Sequence, residues 1–568
     1  FDQTLIVEFV WWDNLKWNFL PNYFILLLAY LILFFLPFFR ISSAVMSTFI
    51  FIFGLAEHYV ILIRRAILYP WDLTQTKLVG NIIGGYKLAI DKFVIIAFFL
   101  YVAMMTLALM KKDMIIKIKY RVVFISALAI VSVFYSVSFV FNTAYQYSLK
   151  IAYSSFSTIS DNTQNGVLLT FAHHLLRLED NKPSDYSKEA AEEILAEFPY
   201  QGGESILEGK KPDVILIINE AFVDLQSQYS FETDIEVMPY FKSLEGDNVV
   251  RKELYVPVWG GSTSNTEAEI LLGISMSFYN QGTYPFVRNI NRDVEGFASI
   301  MNDAGYNSIA IHPFSGFGWN RDSVFSLMGF SEFYTIEDFE DPDLIREYIT
   351  DQSAYDFVIE KYEEQKEANA DEPIFEYLIT IQNHGGYVSP LLTPEIDVLL
   401  DEDYPQAEQY LTLVNESDKA LEKLIQYYEQ VDDPVVIIFM GDHQPGFTGG
   451  FMDYCSENIG DQWLNWFRTP LLIWANYDIS ESDIALMTEP YISSNYVLPF
   501  LTDIIGIEST PFMNFLRAMH EDMPVINPAA IIDDTGKIVG IEAEEMTPEN
   551  LNWLEKYAIA QYYLLNDA

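Results

Sequence analysis

Residues 435–443 read VVIIFMGDH. Six apolar residues in succession, without alternation, have no face to offer to water. The run is also too short for an ordinary buried helix, so it suits a strand covered on both sides, as in a parallel sheet. Similar texture recurs in VILIIN (214–219), NSIAIH (307–312), YLITIQN (377–383) and PLLIWAN (470–476), with helical stretches between. The pattern predicts an α/β domain over residues 212–568, a parallel-rich sheet with helices on both faces.

The ends of these runs carry unusual polar residues. VILIIN runs into Glu220, VVIIFMG into Asp442 and His443, and YLITIQN into His384. Each has an ordinary reading: Glu220 as a helix cap, Asp442 in an Asx turn, His384 as a hydrogen-bonded loop residue. Together they have another, because ligands of open parallel sheets bind outside the carboxyl ends of the strands. A fourth segment, WGGSTSNTEAEILLG (259–273), also has two readings. Ser264 and Glu267 have the spacing of a capping box, which needs one hydroxyl. The Gly-Gly turn and the hydroxyls of Ser262, Thr263, Ser264 and Thr266 equally suit a reactive hydroxyl at a positive helix end. Glu220, Thr263, Asp442 and His443 would give an oxygen-rich set with one nitrogen, suited to Mn²⁺, Mg²⁺ or Zn²⁺. A hydroxyl bound to such an ion becomes nucleophilic near neutral pH, making Thr263 both ligand and nucleophile.

Charge divides the chain. Of 33 Lys+Arg and 80 Asp+Glu, residues through Phe141 hold 12 and 7, leaving 21 against 73 beyond. The first part carries apolar runs near 22–39, 42–63, 93–110 and 122–141, each about the ~20 residues that span a bilayer. They predict a transmembrane helical domain over residues 1–141 with four spans. The basic loop KKDMIIKIKYR (111–121) is expected on the cytoplasmic side, which sends everything after Phe141 outside. Arg64 and Arg65 weakly oppose that orientation. An outside start without a basic leader predicts one further span upstream. Residues 142–211 are polar, with helices expected around Asn165–Leu178 and Tyr186–Glu197, and are expected to form an extracellular linker. A single cysteine, Cys455, allows no intrachain disulfide, which fits a bacterial and Gram-positive surface. The surplus of acid repels anionic lipid and polymer at long range, so local positive groups must do the capture; no nucleic-acid partner is expected.

Glu220 after the first strand, G-G-x-T-S-N-T-E (260–267), H-P-x-x-x-x-x-W-N-R (312–321), Q-N-H-G (382–385) and G-D-H (441–443) together resemble the lipoteichoic acid synthase branch of the alkaline phosphatase and sulfatase superfamily. RRAILYPWDL (64–73) resembles the outer-loop motif of its membrane part. The resemblance implies a phosphoglycerol transferase of the bacterial cell membrane, multi-pass, with an extracellular sulfatase-type catalytic domain. The threonine matching Thr263 attacks phosphatidylglycerol, diacylglycerol leaves, and the Thr-linked glycerophosphate passes to a glycolipid, teichoic acid or cell-wall glycan. Residues matching Glu220, Thr263, Asp442 and His443 hold the metal, usually Mn²⁺. Those matching His312, Trp319, Arg321 and His384 surround the glycerophosphate. Three of the seven histidines fall on this set, and His58, His173, His174 and His520 are expected to be structural.

Two departures stand where head group or acceptor should sit. Phe314 replaces an acidic residue, and Gly385-Gly386-Tyr387 replaces Phe-Pro-Tyr after the later histidine. A sulfatase proper would draw its nucleophile from a C-x-P-x-R type motif, and YCSEN around Cys455 lacks both Pro and Arg. A phosphoethanolamine transferase shares the Thr-plus-metal chemistry and is the alternative; a non-catalytic sensor or scaffold is disfavoured by the intact set.

Overall fold

In the computed structural model, the described residues are 22–23, 25–30, 33, 39–64, 67–70, 90–110, 118–135, 162, 165–175, 182–202, 205–207, 209–280, 282–316, 318–447, 450–459, 463–541 and 546–568. The chain divides into two compact units, residues 1–180 with 280–282, and residues 181–279 with 283–568.

The first unit holds α1 (Phe39–Arg64), α2 (Lys92–Met110) and α3 (Ile118–Tyr135). Among the described residues two helices, Arg40–Ile61 within α1 and Lys92–Met110, are long and apolar enough to cross a membrane. After Lys92, α2 has no charged residue, and Phe98, Phe99, Leu100 and Leu107 are all exposed. A helix so apolar on every side is matched to an apolar surrounding. Of the four predicted spans, two are thus supported. The run at 122–141 falls on α3 as far as Tyr135, while residues 24, 31–32 and 34–38 of the first run, 65–66 and 71–73 of the outer-loop motif and 111–117 of the basic loop lie outside the described residues.

The second unit is built on an eight-stranded sheet: β1 (Asp213–Asn219), β2 (Val249–Tyr255), β3 (Asn307–Ile311), β4 (Glu332–Tyr334), β5 (Ile374–Ile379), β6 (Val435–Gly441), β7 (Arg468–Ala475) and β8 (Tyr491–Ser493). Their order across the sheet is β8-β2-β7-β6-β1-β5-β3-β4. All neighbours run parallel except at β7, which is antiparallel to both β2 and β6. PLLIWAN is therefore not a parallel strand. β7 starts at the end of the sheet where β6 finishes, with Met440 opposite Leu471, and antiparallel neighbours need no crossover.

The unalternated runs have a direct structural consequence. In β1, Val214, Leu216 and Ile218 enter one hydrophobic core while Ile215 and Ile217 enter the other; β6 divides in the same way between Val436, Ile438, Met440 and Val435, Ile437, Phe439. The helices α4 (Thr263–Leu272), α5 (Arg321–Leu327), α6 (Asp351–Ala368), α7 (Pro405–Tyr428), α8 (Pro511–Asp522) and α9 (Pro548–Asn566) cover these cores. Ile270, Met513, Phe515 and Tyr557 close the first, and Tyr355, Val358, Tyr410 and Leu421 the second. The expected helices upstream are found as Val167–Leu175 and Lys188–Ala196. The latter belongs to the second unit, where Ile194 joins the first core and Tyr186 meets the Tyr562 ring at 4.5 Å. The strand predicted from YLITIQN ends at Ile379, and residues 380–383 leave the sheet as a turn.

Candidate active site

Four adjacent parallel strands, β6, β1, β5 and β3, end on one rim. Asn219 pairs in register with Gly441, so Glu220 and Asp442 leave the sheet side by side. After Glu220 the chain turns through Ala221 at φ 48, a left-handed conformation, and the Ala221 amide donates to Asp442 Oδ1 at 2.7 Å. The His443 amide donates to the same oxygen at 2.9 Å. Asp442 is fully buried and its carboxylate is thereby aimed, with Oδ1 satisfied and Oδ2 left without a hydrogen-bond partner.

His443 completes the corner. Its Nδ1 lies 2.9 Å from the Gln444 carbonyl. A carbonyl only accepts, so Nδ1 carries the proton and Nε2 keeps a lone pair. That lone pair faces Asp442 Oδ2 at 3.1 Å and Glu220 Oε1 at 3.6 Å. Ligand atoms of Glu220, Asp442 and His443 all lie within 4.8 Å of one another, and all three residues are buried. Acceptors converging in a dry corner repel unless something positive lies among them. Burial, and next the neighbouring Asp442, push the Glu220 carboxyl well above its ordinary range. The donor set, two carboxylates and one imidazole, fits a divalent cation.

Thr263 is the first residue of α4 and is buried. The preceding Gly260, Gly261 and Ser262 all have positive φ (71, 150 and 74°), which brings the chain sharply into the helix. Ser262 provides no side-chain cap, although its carbonyl accepts from the Asn265 amide at 2.9 Å, and a helix start without a side-chain cap favours an anion. One turn on, the Thr266 hydroxyl donates to the Asp442 carbonyl at 2.8 Å, tying the helix start to the β6 end. The Gly260 amide donates to the Gln444 carbonyl at 3.0 Å, a second tie.

The capping box, one of the two readings of this segment, is not formed. The helix begins at Thr263, which places Ser264 inside it, and Glu267 is turned into the core. There its carboxylate receives Arg321 Nε at 3.1 and 3.2 Å, Arg321 Nη2 at 2.5 Å and the Tyr377 hydroxyl at 3.1 Å. Arg321 Nη1 in turn lies 3.2 Å from His312 Nε2, while His312 Nδ1 lies 2.9 Å from the Ile379 carbonyl. Nδ1 therefore donates and Nε2 accepts. Burial, followed by the Arg321 charge, holds the His312 imidazole well below its usual range and neutral. His312 and Arg321 are thus brought together as predicted, on a carboxylate whose role the sequence reading missed; its place in G-G-x-T-S-N-T-E was the available signal.

Trp319 and His384 have other partners. Trp319 is in the left-handed region at φ 58 and stacks obliquely on Tyr284 at 4.6 Å; the Tyr284 hydroxyl lies 3.4 Å from Ser262 Oγ, next to Thr263. His384 Nδ1 lies 3.2 Å from the Tyr348 hydroxyl. Left-handed backbone at two consecutive non-glycine residues, Trp319 and Asn320, is strain of the kind that gathers at ligand sites.

The sulfatase family profile matches residues 212–507, more than half of the chain and all eight strands of the large sheet. The chain belongs to the sulfatase family. A Rhizobium meliloti protein named for cyclic β-1,2-glucan modification is 28% identical over 388 residues, covering 66% of this sulfatase-family chain and 58% of that protein. Lipoteichoic acid synthase 1 of Bacillus subtilis is 24% identical over 393 residues, covering 65% and 55% respectively. The chain therefore spans little more than half the length of these curated relatives. Among solved structures, the Streptococcus pyogenes phosphoglycerol transferase GacH in complex with sn-glycerol-1-phosphate has the same fold, with a TM-score of 0.52 at 20% identity over 67% of this chain and 94% of that one. The predicted kinship with lipoteichoic acid synthases within this superfamily holds.

Proposed function

We propose that this sulfatase-family protein is a metal-dependent phosphoglycerol transferase of the cell surface, moving glycerol phosphate from phosphatidylglycerol through Thr263 to a hydroxyl of a cell-envelope acceptor. The observation that carries the reading is the facing of the His443 Nε2 and Asp442 Oδ2 acceptors at 3.1 Å beside Glu220, next to a helix that starts on a buried threonine. The names of the relatives, a glucan modification protein and a lipoteichoic acid synthase, agree with an envelope polymer or glycan as acceptor. The two apolar helices agree with a membrane location close to a lipid donor. The basic loop at 111–121 supports the predicted orientation, with the catalytic unit outside.

Glu220, Asp442 and His443 would hold the ion together with Thr263, with Mn²⁺ proposed and Mg²⁺ or Zn²⁺ compatible with the same donors. When bound, such an ion lowers the pKa of a coordinated hydroxyl and neutralises charge on nonbridging phosphate oxygens. Thr263 Oγ gives up its proton and forms the bond to phosphorus. The bond from phosphorus to the diacylglycerol oxygen breaks, and that oxygen takes up a proton. In the second half an acceptor hydroxyl attacks phosphorus, the Thr263 ester bond breaks, and Thr263 recovers its proton. The α4 amides face the phosphate, and Arg321, His312, Trp319 and His384 line the place for the glycerophosphate.

The full chain in vesicles of fluorescent phosphatidylglycerol with Mn²⁺ should release diacylglycerol. Thr263→Ala should lower that rate at least ~10³-fold while leaving the fold intact. Cleavage of phosphatidylethanolamine with phosphatidylglycerol ignored would overturn the head-group assignment.

A further inference from the structure

Arg346 lies in none of the motifs above. It sits at the apex of a small hairpin, Leu344–Ile345 paired with Tyr348–Ile349, in a stretch otherwise acidic: Glu340, Asp341, Asp343 and Glu347 surround it in sequence. Its φ is 59°, at a turn position that glycine normally fills. An arginine held there must be fastened by its side chain, and it is. Nη2 donates to the Gln382 carbonyl at 2.7 Å and the His384 carbonyl at 2.9 Å. The guanidinium lies 5.1 Å from the Tyr348 ring centroid and 5.9 Å from that of Tyr387.

Two further facts give this cation a direction. Among the described residues no carboxylate forms an ion pair with it, despite its acidic neighbours in sequence, and its Nε is buried without a hydrogen-bond partner. The loop whose carbonyls hold it adjoins the metal-compatible corner: the Glu220 amide donates to Thr380 Oγ1 at 3.0 Å, and the Asn383 side-chain amide donates to Asn219 Oδ1 at 3.2 Å. Phe314, standing where the resembled family has an acid, lies 6.0 Å from the Tyr348 ring and 6.2 Å from His312.

We infer that Arg346 is a phosphate-binding residue of this site: clamped along one edge by two carbonyls and stacked on two tyrosines, it presents its unspent N–H to a nonbridging oxygen of the phosphate ester beside Glu220. Planar guanidinium donors fixed in advance suit that task. The identification of the ester as glycerol phosphate rests on the proposed function; the phosphate chemistry does not.

Calorimetric titration of the full chain with Mn²⁺ and sn-glycerol-1-phosphate, with inorganic phosphate as a second probe, tests the assignment. Arg346→Gln should weaken both ligands about 10- to 100-fold, the loss expected for a charged hydrogen bond, and raise KM for phosphatidylglycerol more than it lowers kcat. Arg346→Lys, which keeps the charge and loses the fork, should fall between, and both variants should bind Mn²⁺ as the parent does. Unchanged phosphate affinity in either folded variant, or no phosphate binding by the parent, overturns the inference. Binding that depends on Arg346 without turnover of phosphatidylglycerol would retain Arg346 and remove the phosphoglycerol reading; turnover indifferent to Arg346→Gln would do the reverse.

Discussion

Glu267 has no solvent exposure, and its carboxylate is spent on Arg321 and the Tyr377 hydroxyl. An ion pair so deep gains little over an apolar pair of the same volume, but breaking it from one side strands a charge. Glu267→Gln should therefore destabilise the second unit by about 3–5 kcal/mol, seen as a lower denaturant midpoint. Adding Arg321→Met to Glu267→Gln should recover part of the stability and none of the transferase activity, since the guanidinium is proposed to face the phosphate. The S-x-x-E spacing offered a cap as one of two readings here, and it could not decide because local spacing says nothing about a partner 54 residues away.

At the scale of elements, the catalytic rim depends on how closely the β1 turn crosses the β6 end. A Cβ built on Gly441 would stand 2.1 Å from the Phe222 carbonyl oxygen and 3.3 Å from Thr469 Cβ. The first is backbone, with no flexible end to yield. The Ala221 amide bond to Asp442 and the Thr469 hydroxyl bond to the Gly441 carbonyl, 2.9 Å, both pass through this crossing. Gly441→Ala should cost roughly 1–3 kcal/mol by overpacking and should weaken Mn²⁺ binding by moving Asp442 away from Glu220. Calorimetric titration with Mn²⁺ reads that loss, and affinity equal to the parent's would show that the crossing does not set the corner. G-D-H was legible as a site motif; the reason for its glycine was not, because it lies in the approach of another strand's turn.

For the molecule as a whole, buried carboxyls make stability depend on pH. Glu269 is enclosed beside the Ser494 hydroxyl and the Met276 amide, which donates to Oε1 at 2.7 Å. Burial dominates those donors and pushes its pKa up to about 8 from 4.5. The folded state thus holds the proton more tightly than the unfolded chain, so this contribution is complete below pH ~4.5 and is lost as pH rises towards about 8. Glu269→Gln keeps an acceptor for the Met276 amide and cannot ionise. Denaturation across pH 4.5 to 8 should show the parent losing stability relative to this variant, on the order of a few kcal/mol; parallel curves would refute the assignment.

The sequence by itself determined the buried parallel-rich sheet, the residues that would leave its strand ends and the apolar character of α1 and α2. Each follows from where a side chain meets water or lipid, a preference that each run states locally. Only the tertiary structure decided that β7 runs antiparallel, that Glu267 pairs with Arg321, and that Arg346 is fastened to the Gln382 and His384 carbonyls. Those outcomes depend on separations of a few ångströms between groups distant along the chain. Hydrophobic patterning places strands and helices, while the pairing of individual charges waits until packing has removed the water between them.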